Sequence, residues 1–205
     1  FHAEMPISGK ILNCLKPDYD RINKSEINTD LIRVLGCGVQ VKTRANKNLG
    51  VFDINNLRWS KVIFCTDADV DGFQIRVLLL TMVYRLAPAL IEEGKVYIAE
   101  SPLYEITSKE ETYFAYNEQE KAEFLKKLEG KKYTIQRSKG LGQNEPEMMS
   151  LTTMDPKTRR LIKVNPGDAE EAARMFEIMQ GNDLDGRKEY IAEHGNEYTE
   201  ELDVS

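Results

Sequence analysis

The sequence predicts an α/β fold, a largely parallel sheet flanked by helices, and three observations carry that expectation. A short apolar, β-rich run at 62–65 breaks abruptly into an acidic loop. A long apolar stretch follows at 73–94, and a second β-rich run begins where it ends, at 95–99. Strand, helix and strand in this order make a βαβ unit, whose crossover is almost always right-handed and whose strands run parallel. Ligands in such sheets bind at the carboxyl ends of the strands, which is where the acidic loop falls.

Taken in order, the chain opens on a segment, residues 1–13, with no charged region leading into an apolar one, so it does not read as a secretory signal. Residues 25–36 read as a helix with Ser25 or Asn28 as N-cap and Gly36 at its end. The stretch 39–48 carries Lys42, Arg44 and Lys47 with little apolar content, as an exposed basic loop would. In the long stretch, Ile75, Leu78, Leu79, Leu80, Met82, Val83 and Leu86 cover nearly every helical face, which implies burial against a sheet. Pro88 should break that helix and Gly94 close it. Strands are expected at 95–99, 103–106, 113–116 and 132–137, and helices at 117–130, 146–151, 167–180 and 186–195.

Composition narrows the class of protein. With 205 residues the chain is long enough for one large domain, or one with a smaller appendage. At 41% hydrophobic and 30% charged it reads as soluble, and no apolar run approaches the roughly 20 residues needed to span a bilayer. Cys14, Cys37 and Cys65 are an odd set without paired spacing, joined by only His2 and His194, which argues against a disulfide framework or a zinc site and for a reducing cytoplasm. Cys65, at the end of an apolar run, is expected to be a buried small hydrophobe. A net charge of -6 runs against nucleic-acid binding, but the acid is unevenly spread. Arg137, Lys139, Lys157, Arg159, Arg160 and Lys163 face only Glu145, Glu147 and Asp155 between 137 and 163, whereas the segment from Asp168 onward holds twelve acidic residues against three basic.

The chemistry concentrates in Asp67, Asp69 and Asp71. Like charges this close raise one another's pKa unless a cation neutralises them. Oxygen-only ligands without neighbouring His or Cys favour magnesium, manganese or calcium over zinc. The spacing also opens an EF-hand loop, but that loop needs a glutamate at its twelfth position, here Leu78, and a preceding helix where a strand is expected. The plainer alternative is a solvated acidic turn at a helix N-terminus, favourable without any metal. A carboxylate-held cation at a strand end suits phosphoryl transfer, and nothing in the residue types alone says whose phosphate.

The stretch 62–85, with its TDADVDG core, resembles the second acidic motif of the TOPRIM domain in the B subunits of type IIA DNA topoisomerases, gyrase and topoisomerase IV alike. PISGKILN (6–13) resembles the family's lysine-containing segment, PLYEI (102–106) follows in order, and SKGLGQNEPEMMSLTTMDPKTRRL (138–161) resembles the region after it. The resemblance runs from Phe1 to the segment 186–195. It implies a Rossmann-like TOPRIM domain at 1–110, without its first strand and glutamate motif, and a smaller α+β carboxyl-terminal tail region at 111–205. It implies an enzyme that passes one DNA duplex through a double-strand break in another, with ATP bound by an amino-terminal domain lying outside this sequence. It further implies that the DNA is cut by a tyrosine of an A subunit in an A2B2 assembly. Asp67 is implied as the inner magnesium ligand, with Asp69 and Asp71 on a second magnesium and an upstream glutamate completing the shell; so truncated, the chain alone is expected to be inactive. Lys10 is implied near the cleavage site, with Arg76, Lys139, Gly140 and Gly142 as DNA-contact candidates; a surface lysine and a simple turn are the plainer readings of Lys10 and the KGLG loop.

Four positions depart from the family pattern. Gly-Ser-His-Ile-Arg usually follows the third aspartate, whereas this chain has Gly72-Phe73-Gln74-Ile75-Arg76, and Gln74 can carry neither proton nor positive charge. Gln143 stands where a glutamate is usual, and Ser8 where a lysine is. A non-catalytic paralogue acting as a DNA-binding or assembly module is therefore the rival reading, with another TOPRIM enzyme, a primase or single-strand topoisomerase, behind it. Gyrase and topoisomerase IV are not distinguished by these residues.

Overall fold

The βαβ unit forms where the sequence places it. In the computed structural model, which describes residues 2–15, 18–41, 50–109, 111–138, 140–166 and 169–198, the elements run as α1 (Tyr19–Lys24), α2 (Glu26–Leu35), β1 (Val62–Phe64), α3 (Val70–Leu86), α4 (Ala89–Glu92), β2 (Val96–Ala99), β3 (Tyr104–Ser108), β4 (Thr112–Ala115), α5 (Glu118–Lys127), β5 (Tyr133–Arg137), α6 (Pro146–Met149), β6 (Leu161–Lys163), α7 (Ala169–Gln180) and α8 (Leu184–His194). The fold is α/β. Most of the expected basic loop, with Lys42, Arg44 and Lys47, lies outside the described residues, as does Lys139.

β1 and β2 are neighbours in a three-stranded sheet of order β1-β2-β6, joined through α3 and α4. Beyond that crossover the expected parallel pattern gives way to antiparallel pairing. β6 runs antiparallel to β2 (Ile98 opposite Ile162), and a second sheet, β4-β3-β5, is antiparallel on both sides of β3, with Ile106 opposite Tyr113 and Ile135. For β3 and β4 the reason is connection length. Only three residues separate β3 from β4, enough for a hairpin and far too few for a parallel crossover.

The chain divides into two compact units. The first comprises 1–62, 74–96 and 164–205. Its core is the apolar stripe of α3 (Leu78, Leu79, Met82, Val83 and Leu86), together with Leu90, Ile91, Leu31, Ile32, Leu35, Ile22 and Ile178. Burying each large side chain is worth about 1.5–3 kcal/mol. Pro88 separates α3 from α4, and Gly94, at φ 61, closes α4 with its N–H on the Ile91 carbonyl. Gly36 caps α2 in the left-handed conformation, as expected. Asn28 does not cap: it is buried inside α2 and donates to Cys14 Sγ at 2.8 Å, while Ser25 takes the N-cap position and spends its hydroxyl on Asn28 Oδ1. Cys14 and Cys37 are buried; Cys65, expected to be, is only half-buried. Burial pushes the Cys14 thiol up to about 11, against the opposing pull of Arg85 and Asn28.

The second unit comprises 63–73 and 97–163. Ile106, Ala115 and Leu128 form its small core, with Tyr104, Tyr113, Phe124 and Leu125 packed on them and the Tyr113 and Phe124 rings stacked at 4.9 Å. Arg160, directly before β6, reaches Tyr116 and Glu120, which follow β4. Its guanidinium lies 4.0 Å from the Tyr116 ring centre and bonds Glu120 at 2.6 Å. Among the described residues no helix is long and apolar enough to cross a membrane.

Candidate functional site

The acidic loop lies wholly within the second unit, between the end of β1 and the first turn of α3. Asp69 directly precedes α3, and its Oδ1 accepts the Gly72 N–H at 2.7 Å while its carbonyl accepts the Phe73 N–H at 3.0 Å, the pattern of an N-cap. The turn is so tight that a Cβ at Gly72 would meet the Asp67 carbonyl oxygen at 2.1 Å. Only glycine fits there. Thr66 is buried, Asp67 and Asp69 are half-buried, and Asp71 is exposed on the first turn of the helix.

A distant segment closes on Asp67. After β5 the chain passes through Ser138, whose N–H is held by the Leu103 carbonyl (2.9 Å) and whose hydroxyl bonds Asn144 Oδ1 (3.1 Å). Gly140 is extended (φ -168, ψ 155), and the 3-10 turn Leu141–Gln143 begins next. There the Leu141 N–H donates to Asp67 Oδ1 at 2.8 Å, across 74 residues of sequence. A Cβ on Gly140 would rest on the same carboxylate, 3.5 Å from Cγ and from Oδ2, so glycine keeps that face of Asp67 clear.

Asp67 and Gly140 are brought together. Gly142 is exposed, with open space where a side chain would be. Lys10 is exposed and Arg76 half-buried on α3; both belong to the first unit. Lys139 lies outside the described residues. The sequence reading missed the Leu141 N–H, because a backbone donor has no residue signature, and missed the steric demand on Gly72, whose only trace was a glycine directly after the third aspartate.

Among the described residues, no three His, Cys, Asp or Glu side chains are grouped to hold a metal ion together. Asp67 and Asp69 each accept a backbone N–H, and Asp71 is exposed on the first turn of the helix. That arrangement still suits one class of cation. Magnesium keeps several waters and is commonly bound through one or two carboxylates plus substrate phosphates, so it needs no all-protein cage. An oxygen-only donor set with a glycine-cleared face matches that habit.

Comparison with known proteins covers most of the chain. Residues 3–101 match the Toprim domain family, and residues 130–192 match the family described as DNA gyrase B subunit, carboxyl terminus. The chain is 47% identical over 204 residues to the DNA gyrase B subunit of Thermotoga maritima, covering 100% of this chain and 30% of that protein. It is 42% identical to the DNA gyrase B subunit of Thermus thermophilus (100% and 31%) and 39% identical to that of Archaeoglobus fulgidus (100% and 30%). The chain thus spans about 30% of the length of these relatives.

Proposed function

Because the chain belongs to the B-subunit family of type IIA DNA topoisomerases, we propose that it is the magnesium-binding part that supports DNA cleavage in an ATP-dependent, double-strand-passing enzyme of the cytoplasm. Asp67 carries the proposal: its carboxylate is fixed at the strand end by a backbone donor from the KGLG loop, next to a face that glycine leaves clear. Residues 1–110 serve as the Toprim part and 111–205 as the tail region, a division supported by family matches that stop at 101 and resume at 130.

In this reading Asp67 holds the inner magnesium, and Asp69 and Asp71 hold the second. Bound there, magnesium would polarise a phosphate oxygen and stabilise the oxygens that attack and leave. The chain's own residues orient and neutralise. Asp69 keeps the first turn of α3 closed through Gly72, so the loop presents its carboxylates from a fixed backbone. Lys10, Arg76 and Lys139, with the open backbone at Gly140 and Gly142, contact the phosphates of double-stranded DNA, the cation type and the uncrowded main chain that phosphate recognition uses. ATP is bound by another region of the protein, and the cleaving tyrosine comes from the A subunit in an A2B2 assembly. The test is reconstitution: the full-length protein carrying Asp67→Ala, mixed with its A subunit, should lose magnesium-dependent cleavage and strand passage. Retained cleavage contradicts the metal assignment.

A further inference from the structure

We propose that the backbone N–H of Leu141 is a positioning group for the metal site, holding Asp67 in the orientation in which it receives a divalent cation. The inference rests on the metal reading of Asp67 and adds a residue to it. An ionised carboxylate has about four lone-pair sites. The Leu141 N–H takes one, on Oδ1, at 2.8 Å. Without that bond the side chain would turn about two dihedrals, and a cation would have to immobilise it on binding. Hydrogen bonds that hold a ligand in this way are typically worth 10–100-fold in metal affinity. The donor is itself fixed from both sides, through Ser138 to Leu103 and through Asn144, whose N–H returns to the Leu141 carbonyl at 3.3 Å. The loop is therefore a brace against the carboxylate, and Gly140, extended and lacking a side chain, lets it approach without covering Oδ2.

Proline at position 141 removes the donor and places its ring Cδ where the amide hydrogen points, so the Asp67 carboxylate must turn away from the loop. Leu141 opens a 3-10 turn, where proline is tolerated, and Gly140 before it is already in the extended region that a following proline requires. Leu141→Pro deletes the N–H; Leu141→Ala keeps it and removes the side chain. In the full-length protein assembled with its A subunit, the Mn2+ dissociation constant, followed by electron paramagnetic resonance, and the Mg2+ concentration for half-maximal DNA cleavage should both rise 10–100-fold in Leu141→Pro. Leu141→Ala should stay within about threefold of the parent, and excess Mg2+ should restore cleavage to the proline variant, a rescue that a misfolded loop would not show. Equal effects of the two substitutions, or a proline variant with parental Mn2+ affinity, overturn the proposal. Asp67→Asn in the same titration separates the two levels. If it abolishes one Mn2+ site while Leu141→Pro leaves that site unchanged, only the positioning role falls. If Asp67→Asn leaves all binding intact, the metal assignment and the positioning role fall together.

Discussion

Replacing Gly72 by alanine probes the acidic loop where it is tightest. In the first turn of a helix alanine is ordinarily favoured over glycine by about 1 kcal/mol. Here the added Cβ would meet the Asp67 carbonyl oxygen at 2.1 Å, its carbon at 2.7 Å and its Cα at 2.9 Å. All three are main-chain atoms, so no change of rotamer relieves them, and ordinary contact requires the Asp67 backbone to retreat by roughly 1 Å. Overpacking of this kind costs about 1–3 kcal/mol. A retreat that carries the carboxylate away from Leu141 also forfeits the 2.8 Å bond, and a bond to a charged group is worth about 1.5–3 kcal/mol. Set against the gain of about 1 kcal/mol in helix propensity, the net loss is about 1.5–5 kcal/mol. A displacement of that size at a reacting centre also costs on the order of 10²-fold in rate. Urea denaturation of the variant, with a magnesium titration of DNA cleavage in the reconstituted enzyme, reads both quantities. An alanine variant as stable as the parent, with an unchanged magnesium requirement, would refute the steric account of the loop.

Other expectations follow from the same geometry. Asp69→Ala removes the side-chain acceptor of the Gly72 N–H and should cost about 1 kcal/mol in thermal stability, whereas Asp69→Asn should hold stability within a few tenths while still impairing magnesium-dependent cleavage. Equal destabilisation by both would deny the cap. Burial raises the Glu120 carboxyl, but the Arg160 and Tyr116 N–H bonds outweigh it and hold the group below its ordinary 4.5. Its contribution to stability is thus present above that value and lost as pH falls through the folded pKa. Glu120→Gln should lose under about 1 kcal/mol at pH 7, since the Arg160 side chain is 45% exposed, and should match the parent in acid; denaturation at pH 7 and pH 3 shows whether the gap closes. Cys14 should resist iodoacetamide at pH 8 in the native protein and react on unfolding, by mass spectrometry of labelled peptides; rapid native labelling would mean its burial is wrongly described.

What the sequence made legible was local. The run at 62–65, the breaker Pro88 and the closing Gly94 mark β1, α3, α4 and β2 because each acts on its own neighbours through hydrophobic burial or a restricted φ. Strand pairing was not legible in the same way. β6 is three residues long, and its place beside β2 depends on Ile98 meeting Ile162 from 64 residues away, which no local pattern records. The short α1, capped by Asp18, and the π-helical turn Ser150–Met154 are likewise too brief to show a period. At the site, the aspartates announced themselves by charge, and the backbone groups that orient two of them did not. A main-chain N–H is present at every residue but proline, so only the fold says which one matters.

The central claim is that Asp67 carries a divalent metal. Anomalous diffraction from Mn2+-loaded crystals of the assembled enzyme on DNA tests it most directly. The account predicts an anomalous peak at about 2.1 Å from an Asp67 carboxylate oxygen, with the other oxygen still accepting the Leu141 N–H. A metal bound elsewhere in the cleavage site, with Asp67 outside its coordination sphere, would contradict it.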